Sequence, residues 1–140
     1  MTFKTKLFGG LTVIAIVGAP AVTTAEVTAT DAFVIMNELK GYGLEASMDK
    51  DEQGDPKIIS HVSDSDFFVY FWGCEDNKNC TSVMFKAAYD LKVGISALKI
   101  NEWNQENRFA KAYIDDEGDP IIEMDVNLAY DGVGEKNFGG

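Results

Sequence analysis

The stretch from Ile122 to Tyr130 limits the possible folds more than any other part of the chain. Ile122, Met124, Val126, Leu128 and Tyr130 alternate with Glu123, Asp125 and Asn127. A period of two predicts a strand with one face on a core and the other in water. Burying the even-numbered face is worth roughly 1.5–3 kcal/mol per large side chain. A slip of one residue would turn Glu123 and Asp125 inward, so the register is predicted to be firm.

The remaining elements fall around this strand. Thr30 and Asp31 are good N-cap residues, and Phe33, Met36 and Leu39 recur at helical spacing, with Val34 and Ile35 widening the stripe. Gly41 and Gly43 stop that helix, placing it at 31–41 after a short polar lead, Glu26 to Thr30. Leu44, Ala46 and Met48 alternate with Glu45, Ser47 and Asp49 as a half-buried strand, and Ile58 to Val62 resumes an extended pattern. Phe67 to Trp72 is apolar on both faces and predicts a central strand covered on two sides. Val83, Phe85 and Ala87 define one face of the next strand, with Lys86 opposite. A second helix begins near Ile95 and Leu98 and ends by Asn104 or Glu106, with Trp103 on its buried side. Ala110, Ala112 and Ile114 then alternate with Lys111, Tyr113 and Asp115.

The order α-β-β-β-β-α-β-β predicts an α+β domain, a mainly antiparallel sheet with helices on one face. One such domain, residues 26–134, accounts for the chain between a leader and a short tail. The tail, residues 135–140, reads as a frayed end or a truncated C-terminal helix.

Residues 1–25 have the layout of a secretory signal peptide. Lys4 and Lys6 precede an uncharged apolar run from Leu7 to Ala19, Pro20 breaks it, and small residues lead to Ala25. Cleavage is expected after Ala25, with Ala21 as second choice. The apolar run is shorter than the roughly 20 residues of a spanning helix, so no stable membrane anchor is expected. Cleavage would remove two lysines and no acid, taking the net charge from −11 to −13. The expected location is periplasmic or secreted, where so acidic a body attracts cationic partners.

Composition excludes much chemistry. There is one Arg, Arg108, and the balance is acidic, so nucleic acid is not an expected partner. His61 is the single His, which removes any site built on two imidazoles, and it sits in a strand without a nucleophile beside it. Two cysteines are too few for an all-cysteine zinc site. No catalytic residue, metal or cofactor is assigned. Cys74 and Cys80, at the ends of one loop, form the expected disulfide of an exported protein. Five residues separate them, against the two of a redox motif, so a structural staple is the expected role.

Gly-Asp-Pro occurs twice, at Gly54-Asp55-Pro56 and Gly118-Asp119-Pro120. Asp49-x-Asp51-x-Gln53-Gly54 resembles the front of a calcium loop, but Ser60 stands where a bidentate Glu belongs. Two similar hairpin turns explain both copies. The densest unusual stretch is Ile100 to Phe109. Its amides read as ties between a helix end and the next strand, or as a recognition patch of Asn101, Trp103, Asn104 and Arg108.

The two Gly-Asp-Pro motifs, Gly73-Cys74 with Cys80, and Ile100-Asn101-x-Trp103-Asn104 followed by Arg108-Phe109 together resemble the YbjN-like family, described as bacterial sensory transduction regulators. The resemblance runs from about Asp31 to Gly134. It implies a fold similar to the type III secretion chaperones, a C-terminal helix missing or reduced in this chain, and no established reaction. The expected function is that of an exported, non-enzymatic regulator or chaperone-like binder of a protein or peptide. Two alternatives stand beside it. One is a small-ligand domain with Trp103, Tyr113 and Phe71 lining a pocket between the second helix and the sheet. The other is an inhibitor of a cationic cell-wall lytic enzyme.

Overall fold

The structure is a computed structural model that describes residues 26–139; the expected leader and its cut site lie outside the described residues. Eleven elements follow in order: β1 (Glu26–Val27), α1 (Ala32–Gly41), β2 (Glu45–Lys50), β3 (Pro56–Val62), β4 (Ser65–Trp72), β5 (Ser82–Ala88), α2 (Ala97–Glu106), β6 (Lys111–Ile114), β7 (Pro120–Asn127), β8 (Val133–Gly134) and α3 (Glu135–Phe138). The architecture is α+β. Six strands form one antiparallel sheet in the order β2-β3-β4-β5-β7-β6, and β1 pairs with β8 in a separate two-stranded ribbon.

The Gly-Asp-Pro copies fold as the same turn. At the first, Asp51 accepts from the backbone N–H of Gln53 and of Asp55, both at 2.9 Å. At the second, Asp115 accepts from Glu117 and Asp119 at 3.0 and 2.9 Å. Gly54 and Gly118 take φ of +89° and +93°, a region that favours glycine. Each turn joins a hairpin, β2 to β3 and β6 to β7, and spends its first aspartate on backbone donors.

Cross-strand register sorts the side chains into two faces. Ile58, Val69 and Phe85 stand opposite one another, as do Phe71, Val83 and Val126. This face carries the core, where Ile35, Met36 and Leu39 of α1 meet Ile58, Val69, Phe71 and Val83. Asp31 caps α1 by accepting from Phe33 N–H at 2.9 Å. The helix turns Ala32, Ile35, Met36 and Leu39 to the sheet, so Phe33, expected in the stripe, is 56% exposed. On the same face α3 sets Phe138 against Phe85, with ring centroids 6.0 Å apart.

Three further expectations are corrected. The polar lead is partly strand: Val27 and Ala29 are both buried in the core, and a Cβ at Gly132 would run into the Val27 carbonyl. Two apolar residues are too few to reveal a period. β4 is central but has only one covered face, since Val69 and Phe71 are buried while Trp72 is 54% exposed. Glu123, expected in water, is 7% exposed on β7, held by ion pairs described below.

α2 lies against edge strand β6. Ser96 caps its start, and Ile100 is its buried residue. Asn104 accepts from Ala112 N–H at 2.8 Å and donates to Ala112 C=O at 3.0 Å. One side-chain amide thus occupies both outward backbone groups of a residue on the edge strand, where a further strand would otherwise pair. Replacing the exposed Asn104 with Ala removes two part-buried hydrogen bonds to Ala112, and the expected loss is about 0.5–1.5 kcal/mol. Urea denaturation measures it. An Asn104→Ala midpoint equal to wild type would show that the amide is dispensable.

Candidate binding surface on the open face of the sheet

The second face of the sheet has no helix across β3, β4 and β5 among the described residues. Register lays its side chains in rows across the strands. One row reads Asp49, Lys57, Tyr70, Met84, Asp125, and the next reads Ser47, Ile59, Phe68, Lys86, Glu123, Lys111. Trp72 follows Tyr70 two positions along β4 and stands opposite Ser82. The rings of Phe68 and Tyr70 are tilted against each other, 6.2 Å between centroids. The result is an aromatic strip along one strand, flanked by alternating charges.

Those charges are fastened to one another. Lys57 lies 2.8 Å from Asp49, and the bond holds Asp49 below its ordinary pKa and raises that of Lys57. Glu123 is the centre of the second row. It accepts from Tyr113 Oη at 2.7 Å, and the ammonium groups of Lys111 and Lys86 stand 3.2 and 3.4 Å away. Lys111 also reaches Asp125 at 3.5 Å. Burial is the largest single influence on Glu123 and opposes its charge. The bonds from Tyr113, Lys111 and Lys86 together outweigh it, so its pKa is lowered. The bond to Glu123 raises the pKa of both Tyr113 and Lys111. Lys86 is raised as well, burial being outweighed by Tyr113 and Glu123. Asp49, Asp125 and Glu123 balance Lys57, Lys86 and Lys111, so these rows are near neutral within a chain of net charge −11.

Asn101, Trp103 and Asn104 of the sequence-derived patch lie on α2, and Arg108 follows its end. Asn104 is committed to β6. Trp103 is half-buried on α2, and its carbonyl accepts from the Asn107 side chain at 2.8 Å. Asn101 is exposed, and Arg108 sits over its neighbour Phe109, 4.8 Å from the ring centroid. The expected pocket of Trp103, Tyr113 and Phe71 does not form, because register puts Phe71 and Tyr113 on opposite faces of the sheet. Phe71 is core, 1% exposed, and Tyr113 is bonded to Glu123. His61 bonds through Nδ1 to Asp66 across the β3–β4 hairpin, at the exposed surface.

Cys74 and Cys80 are joined in a disulfide that closes the β4–β5 loop. No group of three or more His, Cys, Asp and Glu among the described residues is placed to hold a metal ion. No helix among them is long and apolar enough to cross a membrane. The open face was missed in the sequence because Phe67 to Trp72 is apolar at every position, which hides which residues face solvent.

No curated protein and no solved structure matches the chain, type III secretion chaperones included. Residues 31–139 match the family YbjN, whose description reads "Putative bacterial sensory transduction regulator". That span covers nearly all of the described fold, both turns and the Asn104 tie included, and on it the chain belongs to the YbjN family.

Proposed function

We propose that this YbjN-family chain is an exported, non-enzymatic regulatory protein that binds another protein through the open sheet face. The observation that carries the reading is Trp72, 54% exposed at the end of an aromatic strip that no helix among the described residues covers. Large aromatics in such positions supply much of the energy of protein interfaces. The fastened ion pairs leave the strip near neutral, while the acidic remainder of the surface favours a partner with a basic rim. The disulfide and the leader-like first 25 residues support export.

A cross-linking pull-down from periplasmic extract tests it, with Trp72→Ala as the control bait. The wild-type bait is expected to recover one basic partner, less of it as salt rises. Trp72→Ala should bind that partner on the order of 30-fold more weakly, with little change in stability because the ring is half in water. No partner above background, or equal recovery by both baits, overturns the reading.

A further inference from the structure

A cleft of about 600 Å³ lies between the start of α1, the β2–β3 turn and the disulfide loop. Its volume falls within the range of small-ligand sites. Phe33, Met48, Pro56 and Ala32 line it with apolar surface, and Lys50 and Lys78 line it from two different segments.

The walls are braced before any ligand arrives. Asn77 Nδ2 donates to Asp55 Oδ1 at 2.9 Å and to Gln53 C=O at 3.3 Å, tying the disulfide loop to the β2–β3 turn. Asn79 N–H donates to Thr30 C=O at 3.3 Å, tying it to the segment entering α1. Asn77 and Asn79 take φ of +60° and +51°, which asparagine tolerates better than most residues. The disulfide closes the loop behind them. Preorganised walls cut the ordering cost of binding.

The charges in the cleft are unevenly engaged. Asp31 caps α1, and Asp49 is paired with Lys57. Lys50 and Lys78 make no ion pair among the described residues. The net charge of −11 works against an anion at long range, so selection for an anion with a hydrocarbon body rests on these two uncommitted ammonium groups at the apolar cleft itself.

We propose that this cleft binds a small apolar carboxylate, its chain against Phe33, Met48 and Pro56 and its headgroup between Lys50 and Lys78. The cleft adjoins the open face at Asp49 and Lys50, the latter also lining a groove with Tyr70 and Trp72, but Phe33, Lys78 and Asn79 belong to the cleft and not to that groove, so shifts and variants at those positions separate the two readings.

Octanoate is the probe and octan-1-ol its uncharged counterpart, each titrated into the oxidised protein while backbone amide shifts are followed by NMR. Octanoate is expected to bind with a Kd on the order of 1 mM or tighter. Its shifts should be confined to residues 29–33, 48–56 and 77–80, with octan-1-ol at least tenfold weaker. Lys50→Glu with Lys78→Glu should weaken octanoate at least tenfold, whereas Lys50→Arg with Lys78→Arg should retain it. Phe33→Ala, at an exposed position that does not threaten the fold, should weaken it severalfold. Overturning results are no saturable shift at 10 mM octanoate, shifts elsewhere on the surface, equal affinity for the alcohol, or an affinity unmoved by charge reversal.

Discussion

Breaking the Cys74–Cys80 bond lowers the stability of the domain by about 2.4 kcal/mol, the chain-entropy value for so short a ring. Two features of the fold bear on this figure. Cys80 is 1% exposed within the core, so its sulfur stays buried after reduction and the core loses little volume. The loop also carries the Asn77 and Asn79 ties to two other segments, and these gain freedom once the ring opens. The loss is therefore expected at or slightly above the entropic value. For a domain of this size that is a fall in Tm of about 10 °C. Thermal scans of the oxidised protein and of a Cys74→Ser, Cys80→Ala variant measure it, the alanine keeping the core site apolar. A Tm change under 2 °C would mean that the asparagine ties hold the loop unaided. The bond also tests export. Protein isolated from the periplasm should carry a two-hydrogen mass deficit, and free thiols in fresh preparations would contradict an oxidising location.

Local signals in the sequence reported local structure well. Asp31 caps α1 as expected, and the repeated Gly-Asp-Pro turns join the two expected hairpins, whereas the Ser96 cap of α2 was not read from the sequence. What was not legible came from tertiary context. Val27 and Ala29 join the core only because β1 pairs with β8, more than a hundred residues away in sequence. The run Phe67 to Trp72 carries no polar marker on either face, so periodicity cannot say that Phe68, Tyr70 and Trp72 face solvent. The amide stretch held two readings. For Asn104 the tie to β6 accounts for both polar ends of its side chain, while Asn101 and Arg108 remain at the surface. The cleft beside the disulfide assembles from segments around 30, 50 and 78, and no sequence window contains all three.

Glu123 shows the same limit most sharply, and its energetics can be measured. Alternation along β7 assigned it to water, but its partners come from other strands: Lys86 on β5, Lys111 and Tyr113 on β6. Glu123→Gln keeps an acceptor for the Tyr113 hydroxyl and deletes the charge between two ammonium groups. The expected cost at pH 7 is about 1–2 kcal/mol, since the lysines are partly in water and screened. The pH dependence fixes the origin of that cost. Burial alone would raise the Glu123 pKa above its ordinary 4.5, but the bonds from Tyr113, Lys111 and Lys86 bring it below that value. A carboxyl lowered by folding contributes stability that is complete above the unfolded pKa and disappears as the pH falls through the folded one. The two lysines, raised from 10.5, contribute below that value and lose their share as the pH climbs through their folded values. Wild type should thus exceed Glu123→Gln by a constant margin between about pH 5 and 10. The two urea-denaturation curves should converge as the pH drops below 4, where a protonated glutamic acid resembles glutamine. A margin that persisted undiminished at pH 3 would assign the loss to packing around the side chain rather than to its charge.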